Sequence, residues 1–210
     1  MQNPFTKSTF LTALGIVCIS ISSYLPLQLP LIPTDIPGTW QTFAVLVFSY
    51  FCSRWVAIAA SSGYILIGIL GAPVFADGSS GIDVLIGRTG GYLYGFIIAA
   101  WLSAYFAKCE AVFFTKENVK GQTISRRTFN HWAKYFAYCL LAMFAGTCVI
   151  LACGITHLSQ SIGLANALQY GLYPFLLGAM IKIVAGAFIV TLLKYIGAQR
   201  TIYSVTTKST

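Results

Sequence analysis

Six apolar runs occupy most of this chain and leave room for few charges. Only 9% of its 210 residues are charged, whereas about 25% is usual in a soluble domain. Such runs are typical of membrane-spanning helices, which need roughly 20 residues each to cross a bilayer. The predicted fold class is therefore all-α: a polytopic membrane protein with a six-transmembrane-helix bundle, forming a single membrane domain over 1–210. The predicted helices cover about 8–26, 40–52, 54–71, 90–108, 132–154 and 171–196.

The second and third helices form one long apolar stretch, interrupted only at Ser53 and Arg54. The stretch is either a tight hairpin that turns at Arg54 or a single kinked span, which would give five crossings. With six spans and a cytoplasmic N-terminus, every Lys and Arg except Arg88 and Lys182 falls in a cytoplasmic segment, including the basic 108–134 loop. Five spans would divide these basic segments between the two sides. Six spans with both termini cytoplasmic, in a bacterial inner membrane, therefore account for the net charge of +8 without a nucleic-acid partner.

Two segments on the outer side in this topology are rich in turn-forming residues. Residues 26–39 contain several prolines, and residues 71–91 are rich in glycine. The second segment also carries the apolar sequence Val84-Leu85-Ile86, which can fold back onto the bundle. Long loops of this composition are often lids over sites, so an external lid loop is predicted over 71–88.

Lys182 lies in the last apolar run, about 16 Å along a helix from Gly171. That depth is too great for the ammonium to reach either membrane surface easily. Ionisable groups at such depth usually face the bundle interior and mark a ligand or ion path. The alternative is an internal ion pair, but the predicted spans contain no acidic residue. The expected partner is therefore an anionic or carbonyl-bearing ligand, for which Gly178 and Gly186, one turn to either side, would leave room.

Arg88 is the second candidate, because it stands outside among glycines just before the fourth helix. Its guanidinium suits a carboxylate, and the following helix N-terminus favours anions. Pairing of Arg88 with Asp77 or Asp83 is an equally simple explanation. Among uncharged polar residues, Gln41 and Thr147 could bond a ligand or equally satisfy a neighbour in the bundle.

Catalytic and metal-binding patterns are missing from the sequence. There is no Walker A pattern, no HExxH, no GxSxG and no pair of intramembrane acids, and the six cysteines include no CxxC pair. The chain is therefore predicted to be a binder and not an enzyme, with no metal and no cofactor. A purely structural role is the remaining alternative, but it leaves Lys182 unexplained.

Four blocks of the sequence resemble those of one family and occur in the same order: IPGTWQT (36–42), GAPVFADG (71–78), GRTGGYLYGF (87–96) and YPFLLGAMIK (173–182). Over about 11–193 the chain is similar to BioY proteins, the biotin-binding S components of energy-coupling-factor (ECF) transporters. The resemblance implies a multi-pass membrane subunit that captures biotin from outside and leaves ATP hydrolysis to others. The implied partners are membrane lipid and either an ECF transmembrane coupling protein with two ATPase subunits or, in a solitary protein, further copies of the chain.

The resemblance also implies a set of ligand contacts and one departure from the family. The last block of the family typically reads P-F-x-P-G-D-x-x-K, with the Asp and the Lys contacting the ligand. This chain keeps the lysine as Lys182 but has Ala179 in place of the aspartate. Biotin would then bind through other acceptors, such as Asp77 or Thr147, or the ligand has changed to another small carboxylate, for example lipoate.

In either case Arg88 or Lys182 would hold the carboxylate or the ureido carbonyl, and the resemblance does not say which residue holds which. Trp40 and Tyr92 would pack against the ring and tail of the ligand. The expected ligand-binding residues are Lys182, Arg88, Asp77, Tyr92, Trp40, Gln41, Thr147 and Gly178.

Overall fold

The computed structural model describes residues 4–27, 38–115 and 124–206, and it describes side chains within 5–27, 38–110 and 131–197. Regular structure in these ranges is helical, apart from one isolated bridge between Pro26 and Thr39. The helices are α1 Pro4–Ser23, α2 Gln41–Tyr50, α3 Arg54–Ile69, α4 Ile82–Ile86, α5 Gly90–Thr115, α6 Ile124–Ile162, α7 Leu164–Gly171 and α8 Tyr173–Thr206, with one 3₁₀ turn at Ala76–Gly78.

Four helices in the described part of the chain are long and apolar enough to cross a membrane: α1, α5, α6 and α8. The helices α2 and α3 are apolar but shorter, with 10 and 16 residues. The prediction of an all-helical, multi-pass membrane protein is confirmed. The count of six crossings stays a prediction, because length and apolarity alone do not assign α2 and α3 a full span.

The interruption predicted between the second and third runs is present. The helix α2 ends at Tyr50, and α3 begins at Arg54. Ser53 caps α3, since its side-chain oxygen accepts a hydrogen bond from the backbone N–H of Val56 at 3.4 Å. The stretch is therefore two helices joined by a tight turn, and the single kinked helix is excluded.

Several predicted boundaries were wrong, because they followed the apolar runs and the helices continue beyond those runs. The helix α5 continues past 108, and α8 continues past 196. The helix α6 extends beyond the predicted range 132–154 at both ends. Most of the predicted basic loop 108–134 is consequently helical, and 116–123 lies outside the described residues. The helix α7 was not predicted at all, because after Gly163 its eight residues are too few to show a periodic pattern.

The GxxxG spacing at Gly91 and Gly95 packs α5 closely against α6. A Cβ atom at Gly91 would lie 2.5 Å from the carbonyl oxygen of Cys153, and one at Gly95 would lie 2.9 Å from the Cα of Ile150. Such distances leave no space for a side chain. The two helices therefore form a closely packed wall at the end of the bundle where α5 begins.

The longer α5 also corrects the expectation that the spans contain no acid. Glu110 lies within α5 and is buried, and its carboxylate pairs with Lys194 of α8 at 3.2 Å. Lys194 is twelve residues, or about 18 Å, along α8 from Lys182. This pair belongs to the opposite end of the helix, so it does not neutralise Lys182.

Candidate functional site

A cavity of about 420 Å³ lies at the end of the bundle where α2, α5 and α8 begin. Its volume is in the range of pockets that hold small organic ligands. The segment 71–88, here called the lid, covers one side, and the middle of α6 forms another. The apolar part of the lining consists mainly of Phe75, Val84, Leu93, Phe96, Ile150, Leu151 and Phe175.

Lys182 lines this cavity and is only 9% exposed. Its ammonium nitrogen donates a hydrogen bond to the backbone carbonyl oxygen of Thr39 at 2.6 Å. An ammonium group carries three donors, and a carbonyl oxygen is a neutral acceptor that leaves the charge uncompensated. Lys182 is therefore a buried cation at a cavity wall, with donor capacity beyond its bond to Thr39.

A chain of hydrogen bonds continues from Thr39 away from Lys182. The Thr39 hydroxyl donates to Gln41 Oε1 at 2.7 Å, and Gln41 Nε2 donates to the hydroxyl of Tyr64. The Tyr64 hydroxyl in turn donates to the backbone carbonyl of Val74 at 3.1 Å. Gln41 lines the cavity as predicted, but both ends of its amide already have protein partners. Through its bond to Tyr64, Gln41 thus joins the start of α2 to α3.

The lid is folded onto the bundle. Phe75 is buried, and the turn after it places Asp77 in the left-handed region at φ 57°, which short polar side chains tolerate. In α4, Leu85 is buried and Val84 lines the cavity, whereas Ile86 is exposed. The Val84-Leu85-Ile86 sequence therefore folds back onto the bundle as expected, with Val84 and Leu85 turned inward and Ile86 exposed.

Contacts at both ends of the lid hold it in place. At its start, the hydroxyl of Tyr24 donates to the carbonyl of Pro73. At its end, His157 Nε2 donates to the carbonyl of Gly87 at 3.0 Å, which requires the proton to be on that nitrogen. The lid is thus fastened to Tyr24, the residue after α1, and to α6 as well as to α3.

Six of the eight residues predicted to bind a ligand line this one cavity: Lys182, Arg88, Asp77, Tyr92, Gln41 and Thr147. Arg88 and Asp77 are exposed in the lid, whereas Thr147 is buried. The Thr147 hydroxyl donates to the Met143 carbonyl at 2.8 Å, so toward the cavity it offers lone pairs. The Tyr92 hydroxyl donates to the Gly171 carbonyl at 2.7 Å, so its one proton already has a protein acceptor.

The other two predicted residues lie outside the cavity lining. Trp40 precedes α2, and its ring packs edge-on against Phe43 with centroids 5.3 Å apart. Gly178 is turned toward Leu27, about 100° around α8 from Ala179. Ala179 itself lines the cavity, three residues before Lys182 on the same face.

Sequence reasoning missed most of the apolar lining. Phe75 and Phe175 stand inside the conspicuous blocks GAPVFADG and YPFLLGAMIK, so those blocks carried a signal for them. Phe96 and Ile150 carry no such signal, because apolar residues in a spanning helix look alike whether they face a cavity, the core or lipid.

The electrostatics of the cavity favour a negatively charged or carbonyl oxygen. The first turns of α2, α5 and α8 contribute lining residues, so three helix N-termini direct their partial positive charge toward it. Lys182 adds a full charge in the wall, and Arg88 adds another in the lid. With aromatic walls around them, these groups suit a small molecule that has an apolar body and polar ends.

Comparison with known proteins agrees with this architecture. A crystal structure of the S-component for biotin from an ECF-type ABC transporter superposes with a TM-score of 0.73, covering 93% of this chain and 95% of that one. At 21% sequence identity this likeness establishes a shared fold.

Similarity in sequence is more direct evidence of the family than similarity in fold. The chain is 32% identical over 195 residues to the biotin transporter BioY of Thermotoga maritima, covering 92% of this chain and 97% of the relative. It is 28% identical over 191 residues to the biotin transporter BioY of Rhizobium etli, covering 88% of this chain and 91% of the relative. The model of the BioY family matches residues 1–198, and this chain therefore belongs to the BioY family.

Proposed function

We propose that this protein takes up biotin across the membrane, as the substrate-binding subunit that captures the vitamin from outside. The observation that carries the proposal is the cavity with Lys182 in its wall, in a chain whose relatives are named as biotin transporters. The proposed topology has six spans, cytoplasmic termini and a bacterial inner-membrane location, so that the lid faces outward. This orientation rests on the distribution of basic residues.

We infer a direction for biotin in the cavity. Its ureido ring lies deep, with the carbonyl oxygen accepting a hydrogen bond from Lys182, and the aromatic walls at Phe96 and Phe175 enclose the apolar part. The carboxylate lies toward Arg88, which is exposed, so this charged end keeps part of its hydration. Donors of the protein then face acceptor oxygens at both ends of the ligand. Specific binding in an apolar pocket requires such placed polar contacts.

A lipoate-like ligand is the alternative that Ala179 suggests, and the comparisons give it no support. The names of both relatives given above, and of the solved S-component, specify biotin. Competition of unlabelled biotin and lipoate for bound radiolabelled biotin separates the two ligands. Displacement by biotin alone supports the proposal, and displacement by lipoate at lower concentration contradicts it.

Replacing Ala179 by aspartate is expected to tighten biotin binding. The new carboxylate would stand one turn from Lys182 at the cavity wall and accept from a ureido N–H, for which Ala179 offers no side-chain acceptor. A hydrogen bond to a charged group contributes about 1.5–3 kcal/mol, or roughly a 10- to 150-fold gain in affinity. Equilibrium binding measures this gain, with Ala179→Asn as the matched control that supplies a neutral acceptor and a smaller gain. If neither variant changes biotin affinity, the ureido ring does not lie beside Ala179.

For energy coupling we propose that the subunit works with an ECF-type transmembrane coupling protein and two ATPase subunits, or else as a homo-oligomer when solitary. The fold shared with an S-component of an ECF-type ABC transporter supports this class of partner. The protein alone is proposed to bind and carry biotin without chemical conversion.

A further inference from the structure

We propose that Tyr64 is a positioning residue that ties the lid to Lys182, an inference that rests on the proposed function and adds to it. Tyr64 is in α3, is fully buried, and is not part of the cavity lining. It would therefore act on the ligand only through the groups it holds. Those groups are the backbone of the lid on one side and the start of α2 on the other.

The hydroxyl of Tyr64 both donates and accepts a hydrogen bond. A phenol has a single proton and can also accept. Here the proton goes to the Val74 carbonyl in the lid, at 3.1 Å, and the oxygen accepts from Gln41 Nε2. One buried atom thus joins the lid to the first residue of α2.

From Gln41 the connection reaches the ligand-binding lysine in two further bonds. Gln41 Oε1 accepts from the Thr39 hydroxyl at 2.7 Å, and the Thr39 carbonyl accepts from Lys182 at 2.6 Å. Each bond in the series fixes the orientation of the next group, as in other buried polar networks. The position of the lid and the direction of the Lys182 ammonium are linked in this way.

The ring of Tyr64 supports the same segment by packing. It meets the ring of Phe75, which lines the cavity, edge-to-face with centroids 5.6 Å apart. One turn along α3, Gly68 makes room for Phe75, since a Cβ atom there would lie 2.2 Å from its ring. Phenylalanine at position 64 would keep this packing and remove only the hydroxyl, so the substitution isolates the hydrogen-bonding role.

In the proposed function biotin enters and leaves through movement of the lid. A movement that takes the start of the lid away from α3 breaks the bond between Tyr64 and Val74. Loss of the hydroxyl should therefore ease opening and leave Gln41 less firmly oriented. A neutral hydrogen bond of this kind corresponds to up to about a tenfold change. We expect biotin to dissociate from Tyr64→Phe about 2- to 10-fold faster than from the parent.

The test compares Tyr64→Phe with Tyr138→Phe in purified, detergent-solubilised protein. Tyr138 is a matched control, because its hydroxyl also donates to a backbone carbonyl of another helix, that of Phe106 at 2.9 Å. It lies on α6 about 13 Å from Thr147, outside the cavity lining. Similar melting temperatures for the two variants would show that both are folded.

A second readout needs no biotin. Arg88 is the only trypsin site between Arg54 and Lys108. Its side chain is exposed, but the protease cleaves a locally opened backbone, so the rate of cleavage after Arg88 reports opening of the lid. We expect faster cleavage at Arg88 in ligand-free Tyr64→Phe than in the parent or in Tyr138→Phe. Equal cleavage in the two variants overturns the proposal, and so does an unchanged dissociation rate if the parent binds biotin. If the parent binds no biotin, the proposed function fails, and cleavage alone decides the role of Tyr64.

Discussion

Lys182→Ala is expected to lower biotin affinity by roughly 10- to 150-fold while the protein still inserts and folds. Removing a charged donor from a buried polar contact costs about 1.5–3 kcal/mol, and the Thr39 carbonyl also loses its partner. The variant should be at least as thermally stable as the parent, because an isolated buried charge is costly to the fold. Equilibrium binding and a thermal unfolding scan measure the two effects.

Lys194→Ala is the matched control, since it removes a lysine from the same helix at the other end. That variant leaves the buried Glu110 carboxylate without its ion pair, so its melting temperature should fall. Its biotin affinity should stay that of the parent. Parent-like binding by Lys182→Ala, with weakened binding by Lys194→Ala, would mean that the ligand site has been assigned to the wrong end of α8.

Gly90→Ala is expected to displace the lid and to weaken both stability and biotin binding. A Cβ atom at Gly90 would lie 1.7 Å from the carbonyl oxygen of Leu85. This neighbour is backbone and cannot move aside by a rotamer change, so α4 or the start of α5 must shift. Overpacking of this kind costs about 1–3 kcal/mol or more. Val84 and Arg88, which line the cavity, would shift with it.

The control for this substitution is Gly197→Ala, another helical glycine. A Cβ atom at Gly197 would meet nothing within 4 Å. Alanine there should be neutral or stabilising by up to about 1 kcal/mol, because it is the better helix former. Thermal unfolding and biotin binding compare the two variants. A Gly90→Ala protein that matches Gly197→Ala in both measurements would contradict this prediction and show that the backbone at Gly90 accommodates a side chain.

Lys182 could be identified from the sequence because a charge interrupts an apolar run, and a charge inside a membrane needs a reason. The turn at Ser53-Arg54 was predictable for a similar reason, as polar residues divide two apolar runs there. Phe96 could not be identified as a lining residue, because the sequence does not indicate whether an apolar residue in a spanning helix faces a cavity, the core or lipid. The prediction therefore included six residues of the cavity lining, but it lacked Thr39, Ser79 and Thr89 and most of the apolar walls.

Other features depend on where the helices end and on which groups meet in the folded chain. Glu110 was missed because the predicted helix stopped at Lys108, although α5 continues to Thr115. Trp40 was expected to line the ligand site, but its ring packs against Phe43, a neighbour one turn away. The role inferred for Tyr64 depends on Val74 and Gln41 meeting its hydroxyl, and no spacing in the sequence indicates that meeting.

The most direct test of the central proposal is equilibrium binding of radiolabelled biotin to the purified parent protein. Saturable binding of one biotin per chain, displaced by unlabelled biotin but not by lipoate, is the predicted result. It would mean that the cavity with Ala179 in place of the family aspartate still holds the vitamin. No binding by protein that shows a cooperative thermal transition would contradict the account, and the ligand would then be sought among other small carboxylates.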